Sequence, residues 1–300
     1  MDYLAALESD VRDAILAWYG IHARPLAFRR TSDPYAVLVS EVIAQQTQAE
    51  RAAIRWERFM TRFATVESLA AASPADVLRE WQGLGYDRRG LALWRAARII
   101  VEQHRGRVPA SIDALEALPG IGPYTARAVA AIAFGLPVGA VDVNVRRVIS
   151  RIVGGPEGLP TAGVQAIADA AASTTDPATW THAVMDFGAT VCRPRNPLCG
   201  DCPVRPTCRM AGTSDRRAAT TEISARRTTP FHATNRWLRG RILDRLREAH
   251  HHEWVVLDAP IGIHALDRVH RAASTLAAEG MIEIEAGFGN GGLRARLATH

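Results

Sequence analysis

Apolar residues recur at steps of three and four at the start of the chain, at Leu4, Leu7, Val11, Ile15 and Trp18, so an amphipathic helix is expected over residues 2–19. The loop Ala23-Arg24-Pro25-Leu26-Ala27-Phe28-Arg29 leads on to Ser32-Asp33-Pro34, where Asp33 suits an N-cap and Pro34 the first helical position. Residues 35–44 are mostly apolar, the pattern of a helix buried on most sides, and Glu41 interrupts them. From 49 to 105 the pattern is helix, turn, helix. Ser73-Pro74 caps residues 75–81, Gly83-Leu84-Gly85-Tyr86 makes a tight turn, and Arg88, Arg89, Arg95 and Arg98 follow as a run suited to a solvated face or a phosphate track. An apolar segment over 112–118 runs into Leu118-Pro119-Gly120-Ile121-Gly122-Pro123-Tyr124-Thr125-Ala126, and a second helix runs out of it to Phe134.

The pattern changes after residue 210. Residues 211–230 are rich in Thr, Ser, Ala and Arg and keep no apolar period, so a basic linker is expected there, with Arg216, Arg217, Arg226 and Arg227. Helices are expected over 235–250 and 265–279. Residues 281–285 alternate as a strand, 287–292 turn, and 293–297 return, which suggests a small winged-helix-like α+β module over 231–300.

Composition narrows the class. The 300 residues carry a net charge of +5, a modest basic bias compatible with a polyanionic partner. There is no lysine: all 36 basic residues are arginine, which suits planar phosphate clamps and excludes a lysine nucleophile. No basic stretch followed by an apolar run opens the chain and no long uncharged apolar run occurs, so a cytoplasmic protein without a membrane partner is expected.

Four features carry candidate chemistry. Cys192, Cys199, Cys202 and Cys208, the only cysteines, are spaced C-x6-C-x2-C-x5-C, which reads as a metal or iron–sulfur clasp rather than two disulfides. Glu41 is costly inside an apolar helix unless it is paired or functional. Gln45-Gln46-Thr47 follows it, amide groups suited to base edges or to ordinary helix-end bonds. The Pro-Gly-x-Gly turn aims successive backbone N–H groups at the start of a helix, where they can hold a phosphate or simply serve a helical hairpin. Asp142, in Val141-Asp142-Val143-Asn144-Val145-Arg146-Arg147, stands where a helix would begin, and capping does not preclude catalysis. Two carboxylates are the inventory needed to cleave a glycosidic bond.

Taken together, S-E-V-I-A-Q-Q-T around Glu41, L-P-G-I-G-P-Y-T-A, V-D-V-N-V-R-R-V, M-D-F-G-A and the cysteine loop, in this order, resemble the helix-hairpin-helix base-excision DNA glycosylases, most closely the MutY-type adenine glycosylases, over about residues 1–210. The resemblance implies an all-α fold of two subdomains around a DNA cleft, with a [4Fe-4S] cluster in the cysteine loop; zinc also suits four cysteines. It implies a monomer acting on double-stranded DNA that carries a mismatch or damaged base, which is flipped into the pocket. Glu41 would protonate the base and help activate water, Asp142 would stabilise the oxocarbenium-like sugar, and Asn144 would support Asp142. Gln45, Gln46, Thr47 and Tyr86 would contact DNA beside the orphaned base, Arg29 and Asp186 would line the base pocket, Gly120 and Gly122 would bind phosphate, and Arg193 and Arg195 would hold DNA from the clasp. Tyr124 stands where bifunctional relatives similar to endonuclease III carry a lysine, so release of a base without strand cleavage is implied. Ala27-Phe28 in place of Pro-Trp, and the small Ala44 and Ala49, alter the expected pocket, so thymine or uracil opposite guanine stands beside adenine opposite 8-oxoguanine or guanine. The seventy C-terminal residues do not resemble the Nudix-like domain typical of that family. A non-catalytic DNA-binding redox sensor is the remaining reading.

Overall fold

A computed structural model describes residues 9–172, 176–211, 229–250, 252–288 and 292–300. The expected linker lies almost entirely outside the described residues, as do Leu4 and Leu7. The rest is mostly helical and forms two compact units, one made of residues 1–41 and 108–224, the other of 42–107 and 225–300.

The first unit holds α1 (Ser9–His22), the start of α2 (Pro34–Ala44), α7 (Ile112–Glu116), α8 (Pro123–Phe134), α9 (Val143–Ile149), α10 (Thr161–Ala172) and α11 (Pro177–Thr190). Asp33 Oδ1 accepts from the Ala36 amide at 2.8 Å and starts α2, as the Asp-Pro pair predicts. Val37, Leu38, Val39, Val42 and Ile43 are all buried, so α2 is enclosed around its circumference. Val11 and Ile15 of α1 pack with Val145, Val164, Trp180 and Phe187 in this unit's core. Straight after α9 the chain makes one π-helical turn, Ser150–Gly154, in which the charged Arg151 is buried.

The second unit holds α3 (Ala49–Arg62), α4 (Val66–Ala70), α5 (Pro74–Glu80), α6 (Arg88–His104), α12 (Asn235–Glu248), α13 (Leu266–Ala278) and strands β1 (Val255–Val256), β2 (Ile282–Phe288) and β3 (Gly292–Leu297). The strands form one antiparallel sheet in the order β1-β3-β2, with Ile282 opposite Leu297 and Ile284 opposite Ala295. Leu293, Ala295 and Leu297 alternate inward on the returning strand, and the alternation read from the sequence at 281–285 falls in β2; β1 is too short to have left one. Seventy residues bury little surface alone. Here the core made by α12, α13 and the sheet also takes in Ala75 and Leu78 of α5 and Leu91 of α6. Arg247 of α12 ties this join by pairing with Asp87 and donating to the Leu78 carbonyl at 2.9 Å.

Candidate active site

Glu41 lies buried in the first unit, about 8% exposed. Burial pushes its carboxyl up to about 7, against the Tyr124 hydrogen bond and the Arg29 charge, which pull it down, and with help from the Asp142 charge. The Tyr124 hydroxyl donates to the Met185 sulfur at 3.7 Å; burial, with Glu41 and Asp142 adding to it, holds its pKa well above that of a free phenol. Tyr124 therefore stays neutral and supplies a proton donor rather than a nucleophile.

Asp142 caps α9. Its Oδ1 accepts from the amides of Asn144 at 2.8 Å and Val145 at 2.7 Å, and its Oδ2 from Asn144 Nδ2 at 2.8 Å. Three donors fix the direction of the carboxylate. Asn144 is held in turn by Arg147, whose Nη2 reaches Asn144 Oδ1 at 2.9 Å and the Gly188 carbonyl at 2.6 Å. Gly188 is required here because a β-carbon would sit 2.7 Å from Asn144 Cβ.

Arg29 and Asp186 come together as one clamp. Asp186 is fully buried, and Arg29 binds it through both terminal nitrogens at 2.5 and 2.7 Å while Arg24 adds its backbone N–H at 3.2 Å and Nε at 2.8 Å. Burial would raise the Asp186 pKa; the arginines reverse this and hold it low. With its oxygens taken up in this way, Asp186 orients Arg29. His182, one turn before Asp186 on α11, is pushed down to about 4 by burial and by the Arg29 charge.

The four cysteines line a single cavity of about 650 Å³. Among the described residues no three His, Cys, Asp or Glu side chains gather as ligands of one ion. The cavity has positive and N–H character: Arg151 Nη1 lies 3.5 Å from Cys192 Sγ and also donates to the Arg193 carbonyl at 2.8 Å. Burial pushes the Cys202 thiol up to about 11 and raises that of Cys208, whose Sγ donates to the Arg151 carbonyl at 3.6 Å. Four thiols around one cavity, with the Arg151 guanidinium beside them, are a donor set that fits a thiolate-bound metal group. Arg147 Nε donates to the Cys192 carbonyl at 2.7 Å, joining this loop to Asn144 and Asp142. Arg195 is exposed on the cavity wall, whereas the Arg193 side chain turns back to the Asn196 carbonyl at 2.9 Å.

The hairpin turn lies between α7 and α8. Gly120 has φ +79°, a left-handed conformation that favours glycine; Gly122 is extended, with open space beside it, and no side chain caps α8. In the second unit, Gln46 and Tyr86 also carry positive φ, at 53° and 49°. Arg89 joins their loops: it donates to the Val42 carbonyl at 3.1 Å, to the Gln45 carbonyl, and to those of Leu84 and Gly85 at 3.2 Å each. The Thr47 hydroxyl donates to the Gln45 carbonyl at 3.2 Å. Arg89 thus leaves the solvated face on which its neighbours in sequence suggested it. Arg24 and Arg151 carried no sequence signal, since nothing in a pattern distinguishes one arginine of 36 from another, and His182 is likewise one histidine of 10.

Residues 39–168 match the family model described as HhH-GPD superfamily base excision DNA repair protein. An adenine DNA glycosylase of Mycolicibacterium smegmatis is 38% identical over 280 residues, covering 90% of this chain and 91% of that protein. Among solved structures, a thermostable thymine-DNA glycosylase superposes with a TM-score of 0.63 at 27% identity over 67% of this chain and 94% of its own. Endonuclease III trapped on DNA superposes at 0.57 over 67% of this chain and 93% of its own; at 22% identity it supports the fold alone. The motifs, the fold and these matches together establish that the chain belongs to the adenine DNA glycosylases of the HhH-GPD superfamily of base excision DNA repair proteins.

Proposed function

We propose that the chain hydrolyses the N-glycosidic bond of an adenine flipped out of duplex DNA, opposite 8-oxoguanine or guanine, and leaves an abasic site. The observation that carries this reading is the pair of unlike carboxyls. Glu41, raised to about 7, can hold a proton near neutrality and give it to the purine, then take one from the attacking water. Asp142, held by three donors, meets the cation that develops on the sugar. Tyr124 keeps Glu41 aimed, and with no lysine in the chain a Schiff base has no side-chain amine to form on. The product is therefore an abasic site in an unbroken strand.

The remaining assignments follow from charge and geometry. The uncapped start of α8 beside Gly120 and Gly122 suits a phosphate of the bound strand. Gln45, Gln46, Thr47 and Tyr86, on loops braced by Arg89, suit the gap left by a flipped nucleotide, and Arg195 suits the DNA backbone. Cys192, Cys199, Cys202 and Cys208 would hold a [4Fe-4S] cluster, which would supply a rigid, charged centre for the loop; iron analysis and an absorbance band near about 400 nm check it. The small module over 231–300 is read as winged-helix-like.

The test is a panel of duplexes carrying A:8-oxoG, A:G, T:G and U:G pairs. Adenine release without strand cleavage is expected, and Glu41→Gln should abolish it while leaving DNA binding within a few-fold. Release of thymine or uracil in place of adenine would overturn the base assignment, and release of no base at all would overturn the enzyme.

A further inference from the structure

The C-terminal module exposes Phe231 and Arg236, to which the reaction assigns nothing, beside Tyr86 of the same unit. Phe231, in the turn Phe231–Ala233 that precedes α12, is 60% exposed, and Tyr86 of the same unit is 39% exposed. Arg236 lies with both: its guanidinium carbon is 3.9 Å from the Tyr86 ring centroid and 5.8 Å from that of Phe231, and its Nη1 donates to the Tyr86 hydroxyl at 2.8 Å.

Each member is fixed from behind. Arg89 stands 5.5 Å from the Tyr86 ring and binds the carbonyls of the turn that carries it. The Phe231 carbonyl accepts from Thr234 Oγ1 at 2.6 Å, and that oxygen also caps α12. The His232 carbonyl lies 2.9 Å from Nε2 of the fully buried His264. The carboxylates beside Arg236 are taken: Asp87 by Arg247, and Glu279 by Arg239 at 2.5 Å. The patch is therefore aromatic, rigid and positive.

We propose that Phe231 and Arg236, the latter laid on the Tyr86 ring, form a base-stacking platform through which the C-terminal module binds DNA. A nucleobase lies on the exposed face of Phe231, and Arg236 offers its remaining N–H donors to the acceptor edge of that base. Stacking accepts any base because every base has a π-face, and an arginine favours the O6 and N7 edge of guanine-type purines. The platform costs little ordering on binding because its parts are already held. This inference rests on the reading that the chain acts on DNA.

The full-length, cluster-containing protein is titrated by fluorescence anisotropy, at one fixed salt concentration, with a duplex carrying an uncleavable abasic analogue opposite 8-oxoguanine. Phe231→Ala and Arg236→Gln should each weaken binding about tenfold, and Phe231→Tyr should restore it. Arg241→Gln removes the same charge elsewhere on α12 and should stay within about twofold. Phe231 is exposed, so its variants are expected to melt like the wild type. If Phe231→Ala and Arg236→Gln bind as tightly as the wild type while the wild type releases adenine, the platform is overturned and the glycosylase stands. Equal losses in Arg236→Gln and Arg241→Gln, with none in Phe231→Ala, also overturn it, since charge alone then accounts for binding. A wild type that binds no DNA overturns both readings.

Discussion

Glu41 costs the fold what it gives the chemistry. Its carboxyl rises from the ordinary 4.5 to about 7 on burial, so between those values the folded state holds a proton that the unfolded state has lost, and stability falls as pH rises. His182 has the opposite sign. Burial lowers it from 6.5 to about 4, so between those values the unfolded state holds the extra proton and stability rises with pH. Over their shared window the two slopes oppose each other. Glu41→Gln should remove one of them: urea melts should place the variant above the wild type by up to about 3 kcal/mol at pH 8, with the gap closing towards pH 5. A gap that stays constant with pH would show that Glu41 is not the buried titrating group. The wild-type single-turnover rate should fall above about pH 7 as the acid loses its proton.

At the level of elements, α9 and α11 position Asp142. Their close approach needs Gly188, and Arg147 bridges Asn144 to the carbonyls of Gly188 and Cys192. Gly188→Ala should push Asn144 away from Asp142, and Arg147→Ala should leave Asn144 free to turn. Each is expected to lower the single-turnover rate by about 10–100-fold, because misplacement by about 1 Å has that effect on a positioned group. Rates unchanged in both variants would sink the positioning role. The sequence marked M-D-F-G-A as a motif, but the reason for its glycine is visible only where α9 faces it.

Across the whole chain, neighbours in space are not neighbours in sequence. Residues 42–107 and 225–300 share one unit, and Leu78 and Leu91 sit in the same core as Leu276. Leu276→Ala, at a fully buried site, should cost about 2–5 kcal/mol in denaturant melts. A chain ending at Ala211 would leave Leu78 and Leu91 uncovered and should melt well below the full chain. A truncated chain of undiminished stability would mean that the two segments fold independently. No helix among the described residues is long and apolar enough to cross a membrane.

The sequence by itself determined what is local. Apolar periods of three to four placed the helices, Asp33 and Ser73 marked two helix starts, and alternation marked the final hairpin. Residue chemistry also set limits: four closely spaced cysteines, two carboxylates in their motifs and no lysine anywhere define the inventory of the site. Tertiary structure decided which groups meet. Arg24 reaches Asp186 across 162 positions and Arg247 reaches Asp87 across 160. Such pairings follow from how helices pack, and they leave no period or spacing in the chain. Burial decided the rest: Glu41 near 7, His182 near 4 and an inward Arg89 depend on how much water the packed fold removes, and no single position in a sequence encodes that.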